Sequence, residues 1–478
     1  MVRPSLIAAA CALAVAASGL SSASAEPDGV RLAQRWTPLT GILPPERDVR
    51  ESGPETGSLD RAEPAAKSET PSVPDSQVRM QRHDLNVVLV RTVTDGQPHG
   101  GLDVQSTPVD ADLAEALGLG GARGALVTDT SASSARGASL RIGDIIQRIG
   151  SHDVAGPNGL VQALRESLPD DQVTVEIRRA GDGAADLKQL LVERAEAGNV
   201  GAAASLGRLL SMGLVLGPRN PAEAAPYYLK AAEAGHLASM TRYALFAKDG
   251  VGIAKDEALA ARWFRKAADG GQEAAMTNLG GLYEAGLGVK QDYAEAALWY
   301  RRAVEKGHVF ANYRLGLLYE AGRGVGRDHQ EAARLLRAAS DGGLSEATSW
   351  LADKYAHGRG LPKDEAEAAK LNAVAANQVR RAADRGNAVA TFNLGILYRL
   401  GKGVTQSDTE AAYWVVKSLR LGDRYLVAEL MRNPDVLAIA DRKWLQGVLR
   451  NEGTYTGPIN GTFSPDVRAA MEALANPA

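Results

Sequence analysis

The stretch Ala274-Ala275-Met276-Thr277-Asn278-Leu279-Gly280-Gly281-Leu282-Tyr283-Glu284-Ala285-Gly286-Leu287-Gly288-Val289 returns twice in the chain with few changes. It recurs as Ala311-Asn312-Tyr313-Arg314-Leu315-Gly316-Leu317-Leu318-Tyr319-Glu320-Ala321-Gly322-Arg323-Gly324-Val325, and again as Ala390-Thr391-Phe392-Asn393-Leu394-Gly395-Ile396-Leu397-Tyr398-Arg399-Leu400-Gly401-Lys402-Gly403-Val404. Gly198, Gly235, Gly271, Gly307, Gly343, Gly386 and Gly422 mark the unit boundaries, at intervals of 37, 36, 36, 36, 43 and 36. A fixed period of this length belongs to stacked helical hairpins, none of which can bury its apolar face alone. The expected function moves accordingly from chemistry towards binding.

The physics of one unit is readable. A first helix is predicted over about Glu273 to Ala285, with Leu279 and Tyr283 one turn apart on one face. Gly280 lets a paired helix approach, Gly286 caps the helix, and Gly288 shapes the loop. The second helix opens on a capping box in five units: Asn220 with Glu223, Asp292 with Glu295, Asp328 with Glu331, Asp364 with Glu367, and Ser407 with Glu410. The interval of 43 carries seven extra residues around Ala373 to Val379, which should lengthen one helix or bulge a loop. Tyr227, Trp263, Trp299 and Trp414 each precede a boundary glycine by eight residues. That phase is a core-packing position on the second helix rather than a ladder for stacking ligands.

This pattern resembles the Sel-like repeat, a relative of the tetratricopeptide repeat, across six units in residues 195–424. The resemblance implies an all-α superhelical solenoid of helix-turn-helix repeats, with first helices lining a concave face. It turns Ala274, Thr277, Gly281 and Glu284 inward. The matching positions are Phe310, Tyr313, Leu317 and Glu320 in the fourth unit, and Val389, Phe392, Ile396 and Arg399 in the sixth. Two roles are open for them: receiving a partner helix or strand, or packing unit against unit.

The 478 residues are 45% hydrophobic but only 5% aromatic, so the core is built mainly of Ala, Leu and Val. A net charge of −3 and a pI near 6.2 give no electrostatic case for nucleic-acid binding. At the N-terminus, Arg3, the apolar run Leu6 to Leu20 and Ala23-Ser24-Ala25 read as a cleavable secretory signal over 1–25. The run is shorter than the roughly 20 residues a membrane span needs. Cys11, the sole cysteine, lies inside it, with Ala8 where a lipoprotein signal needs a Leu-like residue. The mature chain is therefore expected to have no thiol, disulfide or Cys-ligated metal, which suits a periplasmic or secreted protein. Residues 26–84, with Pro44-Pro45-Glu46-Arg47 and Glu69-Thr70-Pro71-Ser72-Val73-Pro74, read as a flexible tether.

From Asn86 the pattern changes. Val87 to Val90 is a strand signal, and Gly100-Gly101-Leu102-Asp103-Val104 is a glycine turn entering another strand. A capped helix over Asp112 to Leu119, a strand over Gly124 to Asp129 and a turn-plus-strand over Gly137 to Gly150 follow. Then come a helix over Asn158 to Ser167, a strand over Gln172 to Arg179 and a final strand over Asp186 to Val192. With Leu113-Ala114-Glu115-Ala116-Leu117-Gly118-Leu119, Arg123-Gly124-Ala125-Leu126-Val127 and Ala138-Ser139-Leu140-Arg141-Ile142-Gly143-Asp144-Ile145-Ile146, this order resembles a PDZ domain of the high-temperature-requirement family of periplasmic proteases, over residues 85–194. The resemblance implies a small mixed β/α domain that binds an extended C-terminus as an added strand, its carboxylate held by loop amides. Gly100, Gly101 and Leu102 would form the loop, with Leu102 and Val104 on the strand side and Leu160 and Leu164 on the helix side. A core role for Leu160 and Leu164 stays equally open. An apolar groove implies a hydrophobic last residue in the bound peptide.

Residues 425–478 differ again. Trp444-Leu445-Gln446-Gly447-Val448-Leu449 is helical, and Gly453-Thr454-Tyr455-Thr456-Gly457-Pro458-Ile459-Asn460-Gly461-Thr462-Phe463-Ser464-Pro465-Asp466-Val467 follows. This resembles the small helical peptidoglycan-binding domain of cell-wall proteins over about 35 residues. The resemblance implies a glycan-binding role for Tyr455, Ile459, Asn460 and Phe463. It departs from the family at Asn460, where Asp is usual, and at Ser464, where Gly is usual. A helical cap on the last repeat is the other reading.

Signs of catalysis are weak. The seven histidines are scattered, and His236 and His308 occupy a boundary position held elsewhere by Gln272, Leu344 and Asn387, which marks it as structural. There is no His-x-x-x-His or His-Glu-x-x-His pair, and Gly118-Leu119-Gly120-Gly121 lacks the Lys-Ser/Thr of a phosphate-binding loop. The stretch before the PDZ-like region leaves no room for a serine protease. The expectation is a non-enzymatic exported adaptor without metal or cofactor. It would bind C-terminal or extended peptides and partner helices, and could sit at peptidoglycan, without nucleic acid or a membrane span. Two alternatives stand beside it: a regulatory or targeting subunit of an envelope protease or cell-wall hydrolase acting in trans, and an enzyme with a site between the PDZ-like region and the repeats. Scattered histidines and absent cysteines weigh against the second.

Overall fold

The computed structural model describes residues 79–475, apart from 89, 95–96, 103, 120, 122, 131–139, 168–171, 214, 423, 433 and 435–438. The signal stretch 1–25, nearly all of the expected tether and the last three residues lie outside the described residues. Contacts divide the chain into two compact units, one spanning Glu46–Gly270 and one holding Gly271–Ala478.

The first unit opens with β1 (Met80–Val88), β2 (Val90–Thr94), β3 (Gln97–Gly101), β4 (Gln105–Pro108), α1 (Ala111–Leu117), β5 (Ala125–Asp129), β6 (Ile145–Ile149), β7 (His152–Asp153), α2 (Pro157–Arg165), β8 (Gln172–Ala180) and α3 (Ala184–Glu196). Its antiparallel sheet runs β1-β8-β6-β5-β4, with β7 on β6, and β2 and β3 form a separate hairpin.

Three sequence expectations need correction here. Residues 186–192 are helical, not a strand: Leu187, Leu190, Leu191 and Ala195 are buried at the 3.6-residue period of α3. The place beside β8 goes to β1, which pairs with it from Met80↔Ala180 to Val88↔Gln172 and so begins inside the stretch read as tether. Gly100 and Gly101 end strand β3, opposite Arg91 and Val90, rather than forming a turn. Leu102 and Val104 make the connection to β4.

The repeats follow as 13-residue helices. In the first unit these are α4 (Val200–Met212), α5 (Pro221–Glu233), α6 (Leu237–Asp249) and α7 (Glu257–Asp269). In the second they are α8 (Glu273–Ala285), α9 (Tyr293–Glu305), α10 (Val309–Ala321), α11 (His329–Asp341) and α12 (Ser345–His357). Next come α13 (Glu365–Asp384), α14 (Ala388–Leu400) and α15 (Asp408–Arg420). Three closing helices complete the unit: α16 (Arg424–Arg432), α17 (Ile439–Asn451) and α18 (Pro465–Ala475).

The helix starts are those the capping residues specify. Asn220, Asp292, Asp328, Asp364 and Ser407 each accept the backbone N–H of the glutamate three residues on. The extra seven residues lengthen α13 to 20 residues, against 13 for its neighbours. Seven residues are almost two full turns, so the helix face keeps its phase across the insertion. Gly280 stands where an added Cβ would meet the Tyr300 ring at 2.7 Å, which is the close helix approach the sequence required. Gly324 has φ +65°, and a Cβ there would fall 2.1 Å from the Tyr293 backbone. The second glycine of the Gly-x-Gly loop is thus needed both for its turn and for contact with the helix behind it. Trp263, Trp299 and Trp414 are buried, so the tryptophans of the aromatic series are packing residues.

Candidate peptide-binding edge

β4 ends the sheet, so its outer hydrogen-bonding edge has no partner strand among the described residues. Such an edge is a template for an added strand. Helix α2 starts beside the end of β4: an added Cβ on Gly156, the residue before α2, would lie 3.9 Å from the Pro108 Cβ. Leu102, Leu160 and Leu164 share one core with Ile146, Val175 and Ile177. Their exposures are 1%, 3% and 8%, so the core role left open for Leu160 and Leu164 is the one their burial supports. Val104 is half-buried and packs on that core. Sequence reading missed Val161, whose side chain on α2 is 49% exposed. The available signal was an apolar residue outside the buried set Leu160, Ala163 and Leu164.

The position of Asp144 is equally specific. Its carboxylate is fully buried, takes the Arg141 backbone N–H at 2.8 Å, and receives Arg179 Nε and Nη2, each at 2.6 Å. That pair ties the turn before β6 to the end of β8. The bond to Asp144 raises the Arg179 guanidinium above its ordinary range, against the effect of burial.

The repeat positions expected to line an open face do so only in part. Tyr313, Leu317, Phe392 and Ile396 are buried, and Phe310 is half-buried against the same cluster as Tyr313. Unit-to-unit packing takes these side chains: α10 packs against α9 and α11, and α14 against α13 and α15. Glu320 is also buried, joined to Lys354 by a short ion pair and to His329 Nδ1 at 3.0 Å. Burial pushes its carboxyl up, but the bonds from Lys354 and His329 outweigh that and hold it below the ordinary range. Glu284 meets Arg314 at 2.6 Å and accepts the Tyr300 hydroxyl at 2.8 Å. Arg399 stands 3.0 Å from Asp408 and 3.9 Å from Asp441, linking the last repeat to α17.

A further regularity escaped the sequence reading. Arg301 donates to the Tyr319 hydroxyl at 3.2 Å, and Arg337–Tyr355 and Arg380–Tyr398 repeat the same bond. Each pair is 18 residues apart, half the repeat period, which is the spacing that could have revealed it. The guanidinium also lies over the tyrosine ring in all three.

In the C-terminal segment Tyr455 is buried and donates its hydroxyl to Pro458 O at 2.9 Å, and Phe463 packs on the core. Asn460 Oδ1 accepts the Thr462 N–H at 2.8 Å, so an amide here makes the turn a carboxylate would. Buried Gln446 holds the same loop, accepting from Gly461 N and donating to Thr462 O, both at 2.8 Å. Ile459 alone of the four expected residues presents a large exposed apolar side chain. Phe392, Ile396, Val415 and Leu419 share one core with Leu426, Leu430, Leu445, Leu449, Val467 and Met471, so these helices close over the last repeat.

No group of three or more His, Cys, Asp or Glu residues is placed to hold a metal among the described residues. No helix among them is long and apolar enough to cross a membrane.

The array of capped helical hairpins and the strand-bearing region before it define a repeat protein with a second, strand-containing module. Residues 200–423 carry Sel1 repeats: the family model for the Sel1 repeat matches residues 200–236, 237–272, 273–308, 309–344, 345–378 and 388–423. Arrays of this repeat are non-catalytic scaffolds for protein interaction. Among solved structures, the chain is similar to a Sel1 repeat protein from Oxalobacter formigenes, 31% identical over 49% of this chain and 92% of that one, with a TM-score of 0.41. It is also similar to a protective antigen of uropathogenic Escherichia coli displaying an SLR fold, 26% identical over 57% of this chain and 65% of that one, with a TM-score of 0.38. Two curated relatives are DegP-like periplasmic serine endoproteases, from Rhizobium meliloti (strain 1021) at 35% identity over 83 residues and from Bartonella henselae at 29% over 82 residues. Each match covers 16% of the relative, so the chain spans about a sixth of the length of the curated relatives it matches.

Proposed function

We propose that this chain is a non-catalytic periplasmic adaptor that captures the C-terminus of a partner along β4 and carries it on a Sel1 repeat array. The observation that carries this reading is the terminal position of β4, whose unpaired edge lies beside α2. An extended peptide there gains main-chain bonds to β4, with Val104 and exposed Val161 on the rim and Leu102 beneath. The short likeness to DegP-like periplasmic endoproteases supports a PDZ-type module. The signal-like stretch 1–25 supports export. Exposed Ile459, on a loop held by Gln446 and Asn460, supports a weaker contact with peptidoglycan. A targeting subunit that brings partners to an envelope protease or hydrolase uses the same edge.

Fluorescence anisotropy with labelled peptides ending in a hydrophobic residue tests the reading on the mature chain. Amidating the peptide's terminal carboxylate is expected to weaken binding roughly tenfold or more, the scale of a lost charge-assisted hydrogen bond. Val161→Lys is expected to weaken it further while leaving the fold intact, because that side chain is half exposed. Equal affinity for free and amidated peptides would contradict the reading.

A further inference from the structure

Helix α1 is bound to the first repeats by more than sequence proximity. Leu113, Ala114, Ala116 and Leu117 share one core with Leu206, Leu209 and Leu210 of α4 and Tyr228 of α5. At Gly201, in the first turn of α4, an added Cβ would fall 2.7 Å from the Asp112 carbonyl oxygen. Asp110 caps α1 through the Leu113 N–H at 2.9 Å, and Arg208 Nη2 of α4 stands 2.8 Å from its other oxygen. On the rim of this contact, His236 has two tasks. Its Nδ1 accepts the Ser239 N–H at 3.3 Å and lies 2.8 Å from Ser239 Oγ, capping α6, while its Nε2 reaches Asp112 Oδ2 at 3.3 Å. Only Val109 and Asp110 separate α1 from the end of β4. Whatever fixes α1 therefore fixes that end of the edge strand.

We propose that His236 and Asp112 form an acid-tightened latch that locks α1, and through it β4, to the first two repeats. That β4 receives a peptide rests on the function proposed above; the latch itself does not. Protonating His236 turns a neutral donor into a cation facing Asp112 and, further off, Asp110, with Arg208 of α4 the opposing positive charge. The first turn of α6 carries no acidic group, so the acids that face the ring come from α1 and its cap. The protonated Nδ1 no longer accepts from Ser239 N but is placed to donate to Ser239 Oγ. The bond to Asp112 raises His236 above its ordinary 6.5 despite burial, and the same bond holds Asp112 below its ordinary 3.8. A raised histidine stabilises fully below 6.5 and loses that contribution as pH climbs through its folded value. A lowered aspartate stabilises above 3.8 and loses its contribution as pH falls through its own. The latch is tightest between those two values and loosens towards alkaline pH.

His236→Asn separates the two tasks. Asn199 and Asn387 cap their helices at the same position in other units, so asparagine keeps the cap, but it is too short to reach Asp112. Hydrogen exchange on the full mature chain, corrected for the intrinsic rate, reads protection of α1 and β4 relative to α6 at pH 5.5 and 7.5. Wild type is expected to gain roughly two- to fivefold protection at pH 5.5, the scale of a partly exposed ion pair. His236→Asn and Asp112→Asn are expected to lose that gain, with α6 protection unchanged in the first. No gain in wild type, or the same gain in His236→Asn, overturns the latch. A gain that needs His236 in a chain that binds no C-terminal peptide at either pH upholds the latch and removes the peptide reading instead.

Discussion

Replacing Asp144 by alanine is expected to destabilise the strand-bearing part of the first unit by about 3–5 kcal/mol, the cost of stripping a buried ion pair of one partner. Asp144 is fully buried and Arg179 nearly so, and the two Arg179 nitrogens approach one carboxylate from a fixed fork. The substitution leaves the guanidinium in the interior and also withdraws the acceptor of the Arg141 N–H. Asp144→Ala combined with Arg179→Met removes both charges and is expected to recover part of the loss. Of the six tryptophans, Trp36 precedes the strand-bearing part and Trp263, Trp299, Trp350, Trp414 and Trp444 lie in or after the repeats, so tryptophan fluorescence is the wrong probe. Amide exchange in β6 and β8 under increasing urea reports the change directly. A loss below about 1 kcal/mol would mean the pair is offset by solvent.

Phe392→Ser is expected to cost at least about 3–5 kcal/mol, the range for emptying a buried phenylalanine site, with a further penalty for the hydroxyl left there. Phe392 is fully buried in the core that joins the last repeat to the closing helices. The expected failure is therefore shared: α14, α15, α17 and α18 lose protection together, and Trp414 and Trp444 report it in thermal unfolding. Had Phe392 served a partner surface, the variant would keep its stability and lose a partner. A thermal midpoint unchanged from wild type would return that role to it.

Much of the array was legible because its signals are local. Asp292 and Glu295 specify a helix start, Gly286 an end, and the 36-residue spacing the number of hairpins. The fate of the extra residues was left as helix or loop, and the alanine-rich run of α13, free of glycine and proline, decided for helix. What stayed hidden depends on neighbours distant in sequence. Asp186 to Val192 was read as a final strand, but Leu187, Leu190 and Leu191 carry a helical pattern that a strand cannot use. The long β1 occupies that edge instead, and its alternation was obscured by Arg82, His83 and Asp84. Tyr313 and Phe392 looked equally suited to a partner or to a core, since periodicity shows which side of a helix is apolar and not what covers it. His236 was judged structural from the residues replacing it in other units. Its contact with Asp112 arises only because α1 lies against α4 and α6.

Peptide capture depends on β4 as a strand-receiving edge. Residue-resolved hydrogen exchange on the mature chain, with and without a hydrophobic-ended peptide bearing a free carboxylate, tests it most directly. The expected result is new protection of the Ser106 amide, which points away from β5, with Leu102 and Val104 following and the amidated peptide giving much less. Binding that protects only repeat amides and leaves β4 exchanging as before would contradict it.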